Sequence, residues 1–334
     1  MTTIERLTFP SLLPSTETIA LDTLGNGEGR LTEAERHKRF KDVFGYGFPS
    51  ASILVGKYSG KIIIAGGGPS IKETVKDIRR QVRLSKRTKI VAVNKTHDWL
   101  LSLGIKPDFG VMIDPKPWVA EYMTPTKGVT YLLGAKCDPK VFERFKGHPN
   151  TYHWHPLETE NELALLGGRN DFLAVPGHST VGLRCDPLFY QLGFRDFELH
   201  GFDCSKRGTD NHAYPKVTPA KDIHDVPLVL EWDGKRRTYQ STDHMARQLN
   251  EFKAMLRMYD DMEASGQRQP TNIRVAGTGA LPFWAALTYG IHVKQEYNAD
   301  PESMPGPEIT EKPKPLGLNL LSAAPISLSS EPIQ

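Results

Sequence analysis

The chain has 334 residues, of which 39 % are hydrophobic and 24 % charged, with a formal net charge of +3 at neutral pH. This is an ordinary globular composition, long enough for one large domain with extensions or for two domains, and able to bury a core without covalent staples. Cys137, Cys185 and Cys204 are widely spaced with no CxxC pair, which excludes a disulfide framework and a zinc site and points to reduced thiols in the cytoplasm.

No apolar run approaches the roughly 20 residues of a membrane span, and MTTIERLTFPSLLPS lacks the basic and apolar regions of a secretory signal. No membrane partner is therefore expected. The basic residues cluster at His37–Lys41, Arg79–Lys89 and Lys235–Arg237. Such clusters are solvated faces or a footprint for a polyanion.

In chain order, residues 1–59 are mixed, with a charged helical stretch near Leu31–Val43 and a Gly/Pro/Ser-rich connection at Gly45–Ser52, and read as an N-terminal extension or cap. The core begins at Lys61–Ala65, a continuously apolar, β-branched run of the kind buried on both faces of a parallel sheet. Further strands are predicted at Ile90–Val93, Phe109–Ile113, Thr130–Leu133 and Phe197–His200, with helices at Ser70–Val82, Thr96–Leu103, Pro139–Lys146 and Ser179–Leu192. This alternation predicts a Rossmann-like α/β fold with a doubly wound, mostly parallel sheet.

Val226–Gln240 is predicted as a β-hairpin insertion turning at Asp233-Gly234. A long amphipathic helix follows over Thr242–Ala264, then a strand at Asn272–Ala276 and a helix at Leu281–Tyr289. From Asn298 the chain is rich in Pro, Ser and Glu without a period, which predicts a largely disordered tail or an arm laid on another surface. The expected organisation is an extension over 1–59, a nucleotide-binding domain over 60–296 and a tail over 297–334.

The first motif with chemistry is Gly66-Gly67-Gly68-Pro69-Ser70. Glycines after a buried strand let a ligand approach the backbone with no Cβ in the way. Ser70 and Glu73 have capping-box spacing, so a helix start with free N–H groups for phosphate is expected. The run is neither G-x-G-x-x-G nor a Walker loop. A bulky residue at Gly67 or Gly68 is expected to abolish nucleotide binding in a folded protein.

Asn94 ends the next strand, where doubly wound sheets bind ligands; it suits a ribose or base edge, or a helix N-cap. Asp114 ends another and suits magnesium or a ribose hydroxyl, while Asp108, at the far edge, is read as structural. Ser179 and Thr180 open a helix, where hydroxyls suit a phosphate and equally an N-cap. Gly201 and Asp203 end the Phe197–His200 strand. His212 and His244 lie downstream; histidine near a nucleotide cleft can serve as a general base.

Taken together, an apolar strand into GGGPSI, then AVNKT, GIKPDFGVMIDP, LGFRDFELHGFD and VAGTGALP resembles the MptE-like proteins. That family includes archaeal 6-hydroxymethylpterin diphosphokinases, the Maf factors that glycosylate flagellin, and phage proteins. The core is also similar to that of bacterial CMP-sialic acid sialyltransferases, and the resemblance spans Lys61 to Val293.

By position, the sialyltransferase resemblance implies a nucleotide against Gly66, Gly67, Gly68, Pro69, Ser70 and Asn94. Ser179 and Thr180 would face the cytidine and its phosphate, with Gly201 and Asp203 on the other wall. Gly67 stands where sialyltransferases have Asn, a departure at the donor site. His244 is closest to the context of their catalytic histidine, with His212 as its rival.

The implied function is a nucleotide-dependent transferase taking a glycosyl group from a CMP- or UDP-type nucleotide sugar, with His244, His212 and Asp203 as candidate catalytic residues. The alternative is ATP- and magnesium-dependent pyrophosphoryl transfer to a hydroxymethyl group, with Asp114 and Asp203 holding the metal. A third reading is a non-catalytic phage protein with a vestigial nucleotide site. The basic clusters and the phage resemblance give the expectation of a polyanionic acceptor, with DNA ahead of a protein or a pterin, in the cytoplasm of a bacterial host.

Overall fold

A computed structural model describes residues 31–158, 161–167, 169–215, 225–232 and 235–289. The β-branched runs form strands because both their faces are covered: β1 (Lys61–Ala65), β2 (Lys89–Val93), β3 (Phe109–Met112), β4 (Thr130–Gly134) and β7 (Asp196–His200) are buried beyond their first residues. β5 (Thr151–Leu157), β6 (Ala174–Pro176) and β10 (Asn272–Ala276) complete an eight-stranded sheet in the order β10-β7-β1-β2-β3-β4-β5-β6. Every neighbouring pair in it is parallel. The fold is therefore the expected Rossmann-like α/β architecture. β5 and β6 were not expected from the sequence; the polar histidines and proline in Thr151–Leu157 hide a strand that is buried almost throughout.

Eight α-helices accompany the strands among the described residues: α1 (Glu33–Asp42), α2 (Ile71–Leu84), α3 (Thr96–Ser102), α4 (Pro139–Phe145), α5 (Asn161–Ala164), α6 (Val181–Leu192), α7 (Asp243–Ala264) and α8 (Ala280–Tyr289). Strand alternation sends neighbours to opposite faces. Ile62 and Ile64 join a core with Leu188 and Phe189 of α6, Phe252 of α7 and Trp284 of α8. Ile63 and Ala65 pack instead with Ile71 and Ile78 of α2 and Leu100 of α3. Further along, Tyr131 and Leu133 pack with Phe142 and Phe145 of α4 and with Phe40 of α1. The helix from the N-terminal extension is thus part of the core.

The hairpin is present as β8 (Asp225–Trp232) against β9 (Lys235–Thr242), antiparallel in the register Trp232↔Lys235. Its Asp233-Gly234 connection and the tail from 297 lie outside the described residues. All three cysteines are free and buried, and burial pushes the thiols of Cys137, Cys185 and Cys204 up. No helix among the described residues is long and apolar enough to cross a membrane.

The sheet has a switch point at β1. The chain steps from β1 through β6 in one direction and then places β7 on the other side of β1. Connections that diverge at neighbouring strands leave a crevice at their carboxyl ends. Here that crevice falls between Gly66–Gly68 after β1 and Gly201–Asp203 after β7.

The buried histidines of β5 set a pH dependence. His153 and His155 pack against Phe44 and Phe40, and burial pushes both down to about 4. A neutral form favoured by folding stabilises above the ordinary value of 6.5, and that stability is lost as pH falls from 6.5 towards 4. Each histidine is worth about 3 kcal/mol at one pKa unit per ~1.4 kcal/mol. Buried Asp203, pushed up to about 6, works in the opposite direction and offsets part of the loss. His153→Phe should therefore remove roughly half of the loss that these two histidines cause, read by denaturant unfolding at a series of pH values. A variant profile parallel to the parent's between pH 6.5 and 4 would contradict this assignment.

Candidate functional site

The glycine turn is built by close backbone approach. The Gly66 N–H donates to His200 O at 2.7 Å and the Gly68 N–H to Gly201 O at 2.8 Å. A Cβ on Gly66 or Gly68 would stand 2.7 Å from that Gly201 oxygen, so only glycine lets the two strand ends meet. Gly67 differs: its Cβ would meet side chains, with Tyr214 Oη at 2.5 Å and His212 Cδ2 at 3.1 Å. Its carbonyl accepts from the Ala213 N–H at 2.9 Å, which lays the loop carrying His212 and Tyr214 over the turn.

The expected capping box at Ser70 does not form. Ser70 is αR and makes no side-chain cap. Its N–H donates to Asp203 Oδ2 at 2.7 Å, and its hydroxyl donates to Asp203 Oδ1. Glu73 is drawn away, pairing with Arg207 and accepting from the Thr278 hydroxyl. A carboxylate from β7's end thus occupies the N-terminus of α2, which corrects the expectation of free N–H groups there. Asp203 is 4 % exposed, and burial pushes its carboxyl up to about 6 against the two Ser70 hydrogen bonds.

Free donors lie across the crevice instead. Thr180 caps α6, its hydroxyl accepting from Leu183 N–H at 3.3 Å. The N–H groups of Val181 and Gly182 have no hydrogen-bond partner among the described residues, and both residues line the cavity. A helix N-terminus with open donors suits an anion. Ser179 is already engaged: its N–H and hydroxyl both donate to Glu251 Oε2 of α7, at 3.0 and 2.8 Å.

Two adjoining cavities run along the carboxyl edge of the sheet. The first, of about 300 Å³, lies over β1 and β7 and is lined by Gly66, Gly67, Gly68, Asn94, Thr180, Gly201, Asp203, His212 and His244, with Tyr214 and Gln248. The second, of about 690 Å³, lies over the ends of β2 to β6 and is lined by Asp114, Lys136, Glu158, Ser179 and Arg184, among others. Asn94, Thr180, Val181 and His244 line both and mark their junction.

The structure thus gathers most of the expected residues. Pro69 and Ser70 line neither cavity, and Asp114 and Asp203 line different ones, with both oxygens of Asp203 taken by Ser70. The pair therefore does not converge on one ion, and no group of three or more His, Cys, Asp or Glu side chains among the described residues is arranged to hold a metal. Tyr214, Gln248, Arg184 and Lys136 were not singled out in the sequence, where the only signal was an arginine in the otherwise apolar start of α6.

Asn94 carries two marks of a ligand contact. Its φ is +47°, a left-handed conformation uncommon outside glycine, and its buried Oδ1 has no hydrogen-bond partner. A buried acceptor without a donor is costly, and strain of this kind collects at functional sites. Asn94→Gly removes the side chain while suiting the backbone. Stability should hold or rise slightly, while nucleotide affinity should fall about tenfold, the cost of one such hydrogen bond. Unchanged affinity in a titration would remove Asn94 from the site.

The basic stretch at Arg79–Lys89 lies at the opposite edge of the sheet. Gln81 accepts from Lys61, at the start of β1, at 2.6 Å, and Lys89 pairs with Asp108 at the start of β3 at 2.9 Å. Its arginines do not border the two cavities. Any polyanion footprint on this stretch therefore lies away from the two cavities. The second stretch, Lys235–Arg237, begins β9 in the hairpin.

Three comparisons bear on this arrangement. The family model described as 6-hydroxymethylpterin diphosphokinase MptE-like matches residues 38–209. Among solved structures, the chain is similar to a MAf glycosyltransferase from Magnetospirillum magneticum AMB-1, with a TM-score of 0.50 and 17 % identity. That match covers 73 % of this chain and 37 % of the other, so the shared part is the fold of a little over a third of the larger protein. A search of curated proteins finds no match.

Proposed function

This chain belongs to the 6-hydroxymethylpterin diphosphokinase MptE-like family, and from that premise we propose that it is a nucleotide-dependent transferase working along the carboxyl edge of its sheet. The observation that carries the reading is the first cavity, where a glycine turn faces the open N–H groups of α6. The nucleotide lies there, with a phosphate at Val181 and Gly182 and its nucleoside against Gly67 and Asn94. The adjoining cavity then holds the group transferred or the acceptor.

Glycosyl transfer from a nucleotide sugar is the leading reaction. His244 stands at the junction of the two cavities and His212 faces Gly67, so either can take the proton of an acceptor hydroxyl as the glycosidic carbon is attacked. The departing nucleotide phosphate keeps its negative charge against the α6 N-terminus. Asp203 is a positioning residue in this scheme, acting through Ser70.

Pyrophosphoryl transfer from ATP is the second reading, favoured by the cationic lining of the larger cavity. Magnesium, when bound, would neutralise the phosphates; Asp114, which lines the second cavity, would hold it without Asp203. A nucleic-acid acceptor is a further proposal, resting on the basic clusters and not on the cavities. It is tested by mobility shift at low salt, where absence of binding at micromolar protein removes it.

The discriminating experiment incubates the protein with CMP- and UDP-sugars or with ATP, each with magnesium or with EDTA, and follows nucleotide release. Release of CMP or UDP in EDTA is expected from the leading reading. Formation of AMP from ATP only with magnesium would replace it by the second.

A further inference from the structure

The larger cavity carries more positive charge than its own carboxylates balance. Arg36, Lys116, Lys136, Arg184 and Arg247 line it, against Asp114 and Glu158. Glu158 serves two of the five, lying 3.3 Å from Arg36 Nη1 and in contact with Lys136 Nζ. Arg36 also reaches Glu162 at 2.5 Å. Lys116 and Arg247 make no ion pair among the described residues, and Lys116 Nζ instead lies over the Trp118 ring at 5.4 Å.

Arg184 is the most telling of these cations. It is 2 % exposed, donates through Nη1 to Leu157 O at 2.9 Å, and leaves its buried Nε without a partner. A guanidinium held out of water with an unused donor is costly unless an anion completes it. Lys136 beside it is 6 % exposed, and burial pushes its amine down to about 8. Nearby Glu251 adds favourable charge to Arg184 but leaves this donor unbonded, since Glu251 Oε2 accepts from the Ser179 N–H and hydroxyl.

We infer that this cavity is an anion subsite, in which Arg184, Lys136, Lys116 and Arg247, with Arg36 from the N-terminal helix, receive a carboxylate or phosphate group. The N-terminal extension is then part of the recognition surface, since α1 supplies both Arg36 and the Phe40 that anchors it in the core. The cavity meets the first one at Asn94, Thr180 and His244, so the anion is carried on a molecule that reaches that junction. Two sources share this chemistry: phosphates of the nucleotide beyond the first, and an acidic group on the other substrate. The anion site rests on the proposed function only for which source fills it.

The test is calorimetric titration of the full chain with inorganic pyrophosphate and with citrate, each alone and with AMP or ATP present. The comparison protein carries Lys116→Glu and Arg247→Glu, two residues that line the larger cavity and not the smaller. The parent should bind at least one probe, and the double variant should bind it more than about tenfold more weakly, as reversal of two nearby charges implies. The double variant should unfold at the same denaturant concentration as the parent, verifying an intact fold.

Competition of ATP with pyrophosphate would assign the site to the nucleotide's phosphate chain. Citrate binding to the ATP-loaded protein would assign it to the second substrate. Probe affinity unchanged by the double reversal, or no binding of either probe to the folded parent, overturns the inference. Pyrophosphate binding in a parent that binds no nucleotide would sustain it while removing the nucleotide reading.

Discussion

Gly68→Ala should disrupt the glycine turn itself, whereas Gly67→Ala should leave the protein folded and close its first cavity. The difference follows from what each new Cβ would meet. At Gly68 the obstacles are the backbone oxygen of Gly201 at 2.7 Å and Asp203 Cγ at 2.8 Å, both fixed by hydrogen bonds across β1 and β7. Neither can retreat without parting the two strand ends, so overpacking should cost about 1–3 kcal/mol or more. At Gly67 the nearest atom is the hydroxyl end of Tyr214 at 2.5 Å. That side chain can swing, breaking its 3.0 Å contact with Thr96 Oγ1 and moving into ligand space. Nucleotide affinity should then fall by more than about tenfold with less than about 1 kcal/mol of stability lost. The simpler sequence expectation, that either glycine could be replaced in a folded protein, is narrowed to Gly67. Denaturant unfolding and nucleotide titration of the two variants check this; equal stabilities would contradict the distinction.

Removing the Asp203 carboxylate should be the more damaging change to the fold. Its two oxygens accept both donors of Ser70, its carbonyl accepts from the Leu281 N–H at 3.0 Å, and Gly279 packs so closely that a Cβ there would lie 2.5 Å from Asp203 Cα. Asp203→Ala leaves two buried donors unsatisfied, at about 1–3 kcal/mol each. Asp203→Asn retains one acceptor and turns an NH₂ group towards the other donor, so it should lose a comparable part. Activity should fall with the fraction folded, and Ser70→Ala should reproduce much of the loss. A fully stable Asp203→Asn protein whose turnover is abolished would instead make Asp203 a catalytic residue.

The particular residues show why some features could be read from the sequence and others could not. Lys61–Ala65 and Lys89–Val93 are buried on both faces, so a continuous apolar run suffices to identify them. Thr151–Leu157 is as deeply buried, yet its histidines satisfy the site through ring contacts with Phe40 and Phe44, side chains more than a hundred residues earlier. The same limit explains the Ser70 misreading. Its local partner Glu73 stands at the right spacing, but Asp203, 133 residues away, wins the hydrogen bonds. Gly67, Asn94, Thr180, His212 and His244 could be picked out because strand ends and helix starts converge on one edge of such a sheet. The cations of the larger cavity come from α1, α6, α7 and the loops after β3 and β4, and no local pattern links them.

The position of the nucleotide tests the central claim most directly, and a crystal structure of the full chain soaked with a nucleotide that binds in solution provides it. The expected result is a phosphate within hydrogen-bonding distance of the Val181 and Gly182 N–H groups, a nucleoside over Gly67 and a donor on Asn94 Oδ1. A nucleotide bound away from the Gly66–Gly68 turn, at the α2 face near Arg79 for instance, would contradict the claim.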